Sequence, residues 1–181
     1  TGYLLTGANL SNTAVTPTAA SGSSAVHGIR SSAVAAALTI TNNLVHGIQV
    51  SGTATAYNGI TNSGAVTGTI NLNNNQLGNI DAGAVRFMFN NTGVVTGISN
   101  TGATATTTVN LNNNSIEGIS AVSLTSNLTG ILSSANAGVA ININNNNLGS
   151  ASADFNTYSA ATSNTIFGFF NSGGVAGSTA I

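Results

Sequence analysis

The sequence predicts an all-β protein of the parallel β-solenoid type, in which short strands recur once per coil. Three observations lead to this prediction: an eight-residue motif recurs along the chain, its aliphatic positions alternate with polar ones, and each copy carries asparagine at a fixed place. The copies start 30–39 residues apart, which indicates about five coils. They read ANLSNTAV from Ala8, LTITNNLV from Leu38, INLNNNQL from Ile70, VNLNNNSI from Val109 and ININNNNL from Ile141.

The first half of each copy predicts a strand with one buried face. Positions one and three are aliphatic in every copy and alternate with polar residues. Position eight is also aliphatic but has the opposite parity, so the chain is expected to turn before it. Asparagine triplets are unfavourable inside a helix, which argues against a helical interpretation of the same residues.

Position five is predicted to form an asparagine ladder inside the rod. Asparagine tolerates the left-handed backbone conformation that a sharp corner needs. Its carboxamide both donates and accepts, so copies stacked about 4.8 Å apart would hydrogen-bond from coil to coil. Parity places this position on the inward face, at the turn. The predicted ladder residues are Asn12, Asn42, Asn74, Asn113 and Asn145.

A second motif, glycine followed by an apolar residue, comes after each copy. It is expected to add another inward column, with glycine permitting positive φ or a close backbone approach. The spacing from this glycine to the next copy is nearly constant, so the insertions are expected in the other arc. The apolar residues are Ile29, Ile60, Ile98, Ile131 and Phe169.

These residues carry a resemblance to a known family. The segment TVNLNNNSIEGI from Thr108 is similar to the repeat of pectate-lyase-like proteins, and the almost uncharged composition resembles repeat regions of secreted and cell-surface proteins of Bacteroidota. The resemblance implies a right-handed parallel β-helix with three sheets per coil, built from the GI, VNL and SIEGI segments. It also implies that arcs 82–95 and 151–166 protrude or add local strand. Phe87 and Phe89 share one parity, which predicts that both are buried under an extra strand. The residues leave open whether each repeat makes one coil or two smaller ones.

Residues 1–181 are expected to form one solenoid segment, with repeats starting near residues 8, 38, 70, 109 and 141. Both ends read as further repeat sequence, whereas a solenoid normally needs polar caps against end-to-end association. We therefore expect either an excerpt of a longer repeat array or a subunit that stacks on other copies.

Charge is unusually scarce in this chain. Lys and Arg number 2 and Asp and Glu number 3, so 3% of residues are charged against about 25% in ordinary domains. Without a basic stripe, nucleic acid is not an expected partner. No apolar run is long enough to span a bilayer as a helix. Cysteine is absent, which excludes disulfides and thiolate metal sites.

The few ionisable residues form no recognisable catalytic pattern. Asp81 and Glu117 fall on adjacent coils and come nearest to a carboxylate pair, but scattered solvated charges are the preferred interpretation. His27 and His46 belong to different segments of their coils, so a stacked histidine metal site is not expected. We expect no enzymatic activity, no catalytic residue, no cofactor and no bound metal.

The sequence therefore predicts a structural stalk or fibre segment of an extracellular or bacterial cell-surface repeat protein, adhesin-like in character. Its expected partners are neighbouring coils or stacked copies, with surface glycans or a host or neighbouring-cell surface as further candidates. A carbohydrate-binding or carbohydrate-cleaving β-helix is the alternative, and a groove lined with exposed aromatic residues would favour it. An ice-binding solenoid is less favoured, because Thr104 and Thr106 stack on other residue types in the remaining copies.

Overall fold

The predicted all-β architecture is confirmed in a computed structural model that describes residues 2–6, 9–10, 14–15, 25–79 and 83–175. Every regular element in these ranges is a strand, and none is a helix. The strands, numbered β1 to β20 in chain order, form four parallel five-stranded sheets, which we name A to D. The chain is therefore a parallel β-solenoid.

Each coil contributes one strand to each sheet, so one sequence repeat makes one coil. Sheet A contains β1 (Gly2–Thr6), β5 (Ala35–Thr41), β9 (Val66–Asn73), β13 (Thr108–Asn110) and β17 (Ala140–Asn142). Sheet B contains β2 (Asn9–Leu10), β6 (Leu44–Val45), β10 (Gln76–Leu77), β14 (Ser115–Ile116) and β18 (Asn147–Leu148). Sheet C contains β3 (Ala14–Val15), β7 (Ile48–Val50), β11 (Val85–Phe87), β15 (Ile119–Ala121) and β19 (Asn156–Tyr158). Sheet D contains β4 (Ala25–Ser31), β8 (Ala56–Asn62), β12 (Val95–Asn100), β16 (Leu128–Ser133) and β20 (Ile166–Asn171).

Four sheets per coil replace the three that the family resemblance implied. The segment SIEGI, expected to be one strand, is divided between β14 and β15. Gly118 lies between them with a φ of 68°, and Gly47 takes the equivalent place in an earlier coil with a φ of 70°. Glycine adopts this left-handed conformation without a steric penalty, so it allows the chain to bend sharply there. A glycine corner therefore separates sheet B from sheet C.

The strand register corrects the boundary of the first repeat. Tyr3 pairs with Leu38, so the first copy starts near residue 3 and not at Ala8. Asn12, assigned to the ladder through that earlier alignment, lies outside the described residues. The other four predicted starts pair with one another as expected, in the order Leu38, Ile70, Val109 and Ile141.

Inward aliphatic residues form continuous columns along the rod, as the alternation predicted. In coils two to four, the residues at motif positions one, three and eight are at most 2% exposed. Burying each such side chain contributes about 1.5–3 kcal/mol relative to leaving it in water. These residues are Leu38, Ile40, Val45, Ile70, Leu72, Leu77, Val109, Leu111 and Ile116.

The two arcs that were expected to protrude or to add local strand each contain one strand. Arc 82–95 contains β11, an ordinary strand of sheet C, and arc 151–166 contains β19 of the same sheet. Phe87 on β11 packs in the core and is 2% exposed. Phe89 lies beyond the end of the strand and is 55% exposed, so its predicted burial under an extra strand is wrong.

The glycine of the second motif, on sheet D, lies too close to neighbouring backbone and side-chain atoms to carry a Cβ atom. A Cβ atom on Gly97 would lie 2.6 Å from the carbonyl oxygen of Gly130 and 2.7 Å from Cδ1 of Ile116. Gly97 does not have a positive φ. Close approach of backbone and side chains, one of the two expected reasons, therefore accounts for the glycine of this motif.

Gly97→Ala is expected to lower the free energy of unfolding by about 1–3 kcal/mol, because the added methyl group has to displace backbone of the next coil. Gly174→Ala is the matched control, since a Cβ there would meet its nearest atom, Oδ1 of Asn136, at 3.7 Å. Urea denaturation followed by circular dichroism measures both variants. Equal midpoints for the two would contradict the packing argument.

Candidate functional site

The asparagines at position five form the corner between sheets A and B. Their φ angles are 56° at Asn42, Asn74 and Asn113 and 54° at Asn145, which is the left-handed conformation predicted for them. Their side chains are exposed and not inward as predicted. A positive φ interrupts the regular alternation of side chains, so the residue after the corner points into the rod. The ladder assignment therefore needs a correction of one residue.

The carboxamide column consists of Asn43, Asn75 and Asn114, which are buried, and Asn146, which is half-buried. Oδ1 of Asn75 accepts hydrogen bonds from the backbone N of Asn43 at 3.1 Å and from its Nδ2 at 3.0 Å. Oδ1 of Asn114 accepts from the same two atoms of Asn75 at 2.9 and 3.2 Å. Oδ1 of Asn146 accepts from those of Asn114 at 2.8 and 3.0 Å. Each of these three oxygens therefore accepts two hydrogen bonds from the asparagine of the preceding coil.

The ladder amides also bond to the strands of sheet A. Nδ2 of Asn75 donates to the carbonyl oxygen of Ile40 at 2.9 Å, and Nδ2 of Asn114 donates to that of Leu72 at 2.8 Å. Asn43, Asn75 and Asn114 are each 1% exposed. Hydrogen bonds in such a dry interior are strong, and losing one partner is correspondingly costly.

A signal in the sequence distinguishes the corner from the ladder once the first repeat is aligned correctly. When the sequence is aligned with Tyr3 opposite Leu38, Gly7 stands where the second copy has Asn42, and Ala8 stands where it has Asn43. Glycine and asparagine are the residues that favour a positive φ. Position five therefore has the composition of a corner, and position six has that of a buried column.

A second buried polar column lies at the corner between sheets D and A, and it was not predicted. Nδ2 of Asn62 donates to Oδ1 of Asn100 at 2.9 Å and to the carbonyl oxygen of Gly102 at 2.9 Å. Its Oδ1 accepts from the backbone N of Gly64 at 3.1 Å. Asn62 and Asn100 are both fully buried. The Asn in ITNSG and ISNTG, two residues after the apolar residue of the second motif, marks this column in the sequence.

Asn114→Leu tests the corrected ladder assignment. The change leaves the backbone N and Nδ2 of Asn75 without their acceptor, and each orphaned donor costs about 1–3 kcal/mol, so a loss of at least about 2 kcal/mol in unfolding free energy is expected. Asn113→Gly is the control, because glycine keeps the positive φ and the side chain it removes is exposed. Denaturant titration of both proteins decides the matter: a larger loss in Asn113→Gly would place the ladder at position five after all.

A groove runs along the outer face of sheet C. Two depressions with volumes of about 320 and 160 Å³ share Arg86 and Ser120 as lining residues. Met88, Val122 and Tyr158 line the larger depression, which gives it an apolar side. The outward side chains of four adjacent strands form one column along the groove: Gln49, Arg86, Ser120 and Thr157.

The ionisable residues are dispersed, and two of them, Glu117 and His46, are buried. Glu117 is 5% exposed, so the expectation that it is a solvated surface charge is wrong. Asp81, its suggested partner, lies outside the described residues. Asp154 and Arg86 are exposed. None of the described residues lining the groove is a carboxylate.

The two histidines lie in different parts of their coils, as predicted. His27 is on β4, and His46 is between β6 and β7. Across the ranges that the structure describes, no three potential metal ligands lie close enough together to hold an ion. Burial, and secondarily the positive charge of Arg30, lower the pKa of His27 below its usual value.

His27 is expected to make stability fall on the acid side. Because its folded-state pKa is lowered, its contribution is complete above the unfolded value of about 6.5 and is lost as the pH falls through the lower folded-state pKa. The melting temperature of the wild type should therefore drop more between pH 8 and pH 5 than that of His27→Gln. The difference is expected to be small, because the side chain is only half-buried. An equal or larger drop in the variant would contradict this.

No helix in the described ranges is long and apolar enough to cross a membrane. The chain matches no family model, no curated protein and no solved structure.

Proposed function

We propose that this chain is a structural stalk or fibre segment of an extracellular or bacterial cell-surface repeat protein, adhesin-like and without catalytic activity. The ladder of Asn43, Asn75, Asn114 and Asn146 is the observation that supports this proposal most. It repeats the same hydrogen bonds at three successive junctions between coils. The backbone hydrogen bonds of all four sheets run along the same axis, so each junction is held by many bonds acting together.

Apolar side chains in the last described coil are more exposed than their equivalents in earlier coils, which supports the proposal that another coil packs against them. Phe169 continues the inward column of Ile131 but is 49% exposed, whereas Ile131 is fully buried. Ile141, Ile143 and Leu148, which continue the columns of buried aliphatic residues, are only partly buried. Strands β17 to β20 are the edge strands of their sheets among the described elements. Open edges next to apolar side chains favour pairing with another coil, of the same chain or of a stacked copy.

The surface chemistry of the chain is consistent with a passive spacer. Only 3% of the residues are charged, and Thr, Ser, Asn and Gly provide the polar surface. Few charges mean weak long-range attraction to other molecules and little dependence of stability on ionic strength.

Single-molecule force spectroscopy tests the stalk function directly. The chain, held between inert handles at its two ends, is expected to resist extension and then to lose coils in steps, because each junction breaks as a unit. Asn114→Leu should lower the force of one step, and Asn113→Gly should leave the trace unchanged. Smooth extension at low force, with no steps and no difference between the variants, would refute a mechanical role.

A carbohydrate-binding or carbohydrate-cleaving role is the second candidate, and the groove on sheet C is the observation that favours it. Ser120, Thr157 and Gln49 offer hydroxyl and amide groups at the spacing of successive strands, about 4.8 Å. Arg86 is an exposed cation among them and suits a carboxylate-bearing sugar. The aromatic lining that would strengthen this alternative is limited to Tyr158, which is half-buried, and Phe87, whose side chain packs in the core.

Glycan-array binding and turnover of polygalacturonate separate the two candidates. If the groove binds acidic glycans, Arg86→Gln should abolish binding while Arg30→Gln, at the other exposed arginine, leaves it intact. Absence of binding and of turnover in the wild type would remove the carbohydrate candidate and leave the stalk proposal standing.

A further inference from the structure

The polar column at the corner between sheets D and A contains both serine and asparagine, since Ser31 and Asn171 continue it beyond Asn62 and Ser133. Asn62, Asn100 and Ser133 are aligned on adjacent strands, so serine takes the place that asparagine holds in the two preceding coils. All three residues are fully buried. Nδ2 of Asn100 and Oγ of Ser133 have no hydrogen-bond partner within the protein. Two unpaired polar atoms in adjacent coils of one column point to a shared ligand, because buried polar groups are almost always paired.

We propose that a buried water molecule binds between Asn100 and Ser133 and completes this column. At the preceding junction, Nδ2 of Asn62 reaches Oδ1 of Asn100 at 2.9 Å. The serine Oγ corresponds in position to the Cγ of an asparagine, so Ser133 lacks the two terminal heavy atoms of the carboxamide. Those two atoms occupy roughly the volume of one water molecule, which suits water and nothing much larger.

The hydrogen-bonding capacity of the two residues fits the same ligand. Nδ2 of Asn100 donates to the water, and the hydroxyl of Ser133 accepts from it or donates to it. A cation is a poor alternative, because an amide N–H does not coordinate one. Two neutral polar side chains flank the pair in the same column. Asn62 is already bonded to Asn100 and to backbone carbonyl groups, and Asn171, which is paired with Ser133, is exposed.

Tyr57 shows why this junction differs from other unpaired sites. Its hydroxyl is also buried without a partner. The residues paired with Tyr57 on the neighbouring strands are Val26 and Val95, which are apolar and provide no second polar group for a water. Only the Asn100–Ser133 pair, among the unpaired groups that the structure describes, places two such atoms in one column on adjacent strands.

Water–protein NOE and ROE spectroscopy of the complete chain tests the proposal. The side-chain amide protons of Asn100 are expected to give cross-peaks of opposite sign in the two experiments, which is the signature of a long-lived bound water. The side-chain amide protons of Asn62, whose partners are protein atoms, serve as the internal control and should give none. Absence of such cross-peaks at Asn100 would overturn the water site.

A substitution provides an independent readout. Ser133→Asn should supply the missing acceptor, eliminate the water cross-peaks at Asn100 and raise the melting temperature by about 2–4 °C, the effect of one hydrogen bond in a chain of this size. Ser134→Asn makes the same change one residue outside the column and should leave both signals unchanged. If Ser133→Asn fails to fold, or melts lower, the space for a water is not there and the proposal falls.

Discussion

The hydrogen bond from one buried carboxamide to the next, inside the corner between sheets A and B, is the contact on which the rest of the rod depends. Strands in a sheet lie about 4.8 Å apart, and an asparagine side chain spans that distance when it is directed along the axis. Asn75 illustrates the consequence. Its Oδ1 accepts hydrogen bonds from the backbone N and the Nδ2 of Asn43, and its Nδ2 donates to the carbonyl oxygen of Ile40 and to Oδ1 of Asn114. One side chain thereby ties three coils together at a fixed corner. The arcs that follow can differ in length from coil to coil without disturbing the columns.

Much of this fold was predictable because stacking repeats the same physical requirement in every coil. Alternating aliphatic residues at positions one and three had to share a face, and they form the buried columns of Leu38 and Ile40. The side of the corner on which each asparagine lies was not predictable from residue type alone. Asn74 and Asn75 are chemically identical neighbours, and only the positive φ of Asn74 decides that its side chain faces water while the next faces the core.

The alignment of the first repeat failed for a related reason. Matching asparagine to asparagine selected Asn12, whereas the structure aligns the strand that begins at Gly2 with the one that contains Leu38. The number of sheets per coil also could not be predicted from the alternation of aliphatic and polar residues, because one glycine, Gly118, decides whether SIEGI forms one strand or two. The exposure of Phe89 and the burial of Glu117 depend on the segments between the two motifs. The sequence of these segments is not periodic, so it does not predict their path. The groove on sheet C, created by such arcs, was therefore not predicted either.

The proposed mechanical role rests on where the repeated interactions lie. The most ordered interactions lie inside the rod and repeat from coil to coil, whereas the outer groove contains one arginine and no described carboxylate. The proposed water between Asn100 and Ser133 would also act inside the rod, since it connects two buried polar groups that have no partner within the protein.

Hydrogen exchange of the asparagine side-chain amides, resolved by NMR, tests the ladder most directly. The side-chain amide protons of Asn75 and Asn114 should exchange only when coils separate, and those of Asn74 and Asn113 should exchange at the rate of a free amide. Fast exchange at Asn75 and Asn114, or protection at Asn74 and Asn113 in their place, would contradict a buried carboxamide column at the residue after the corner.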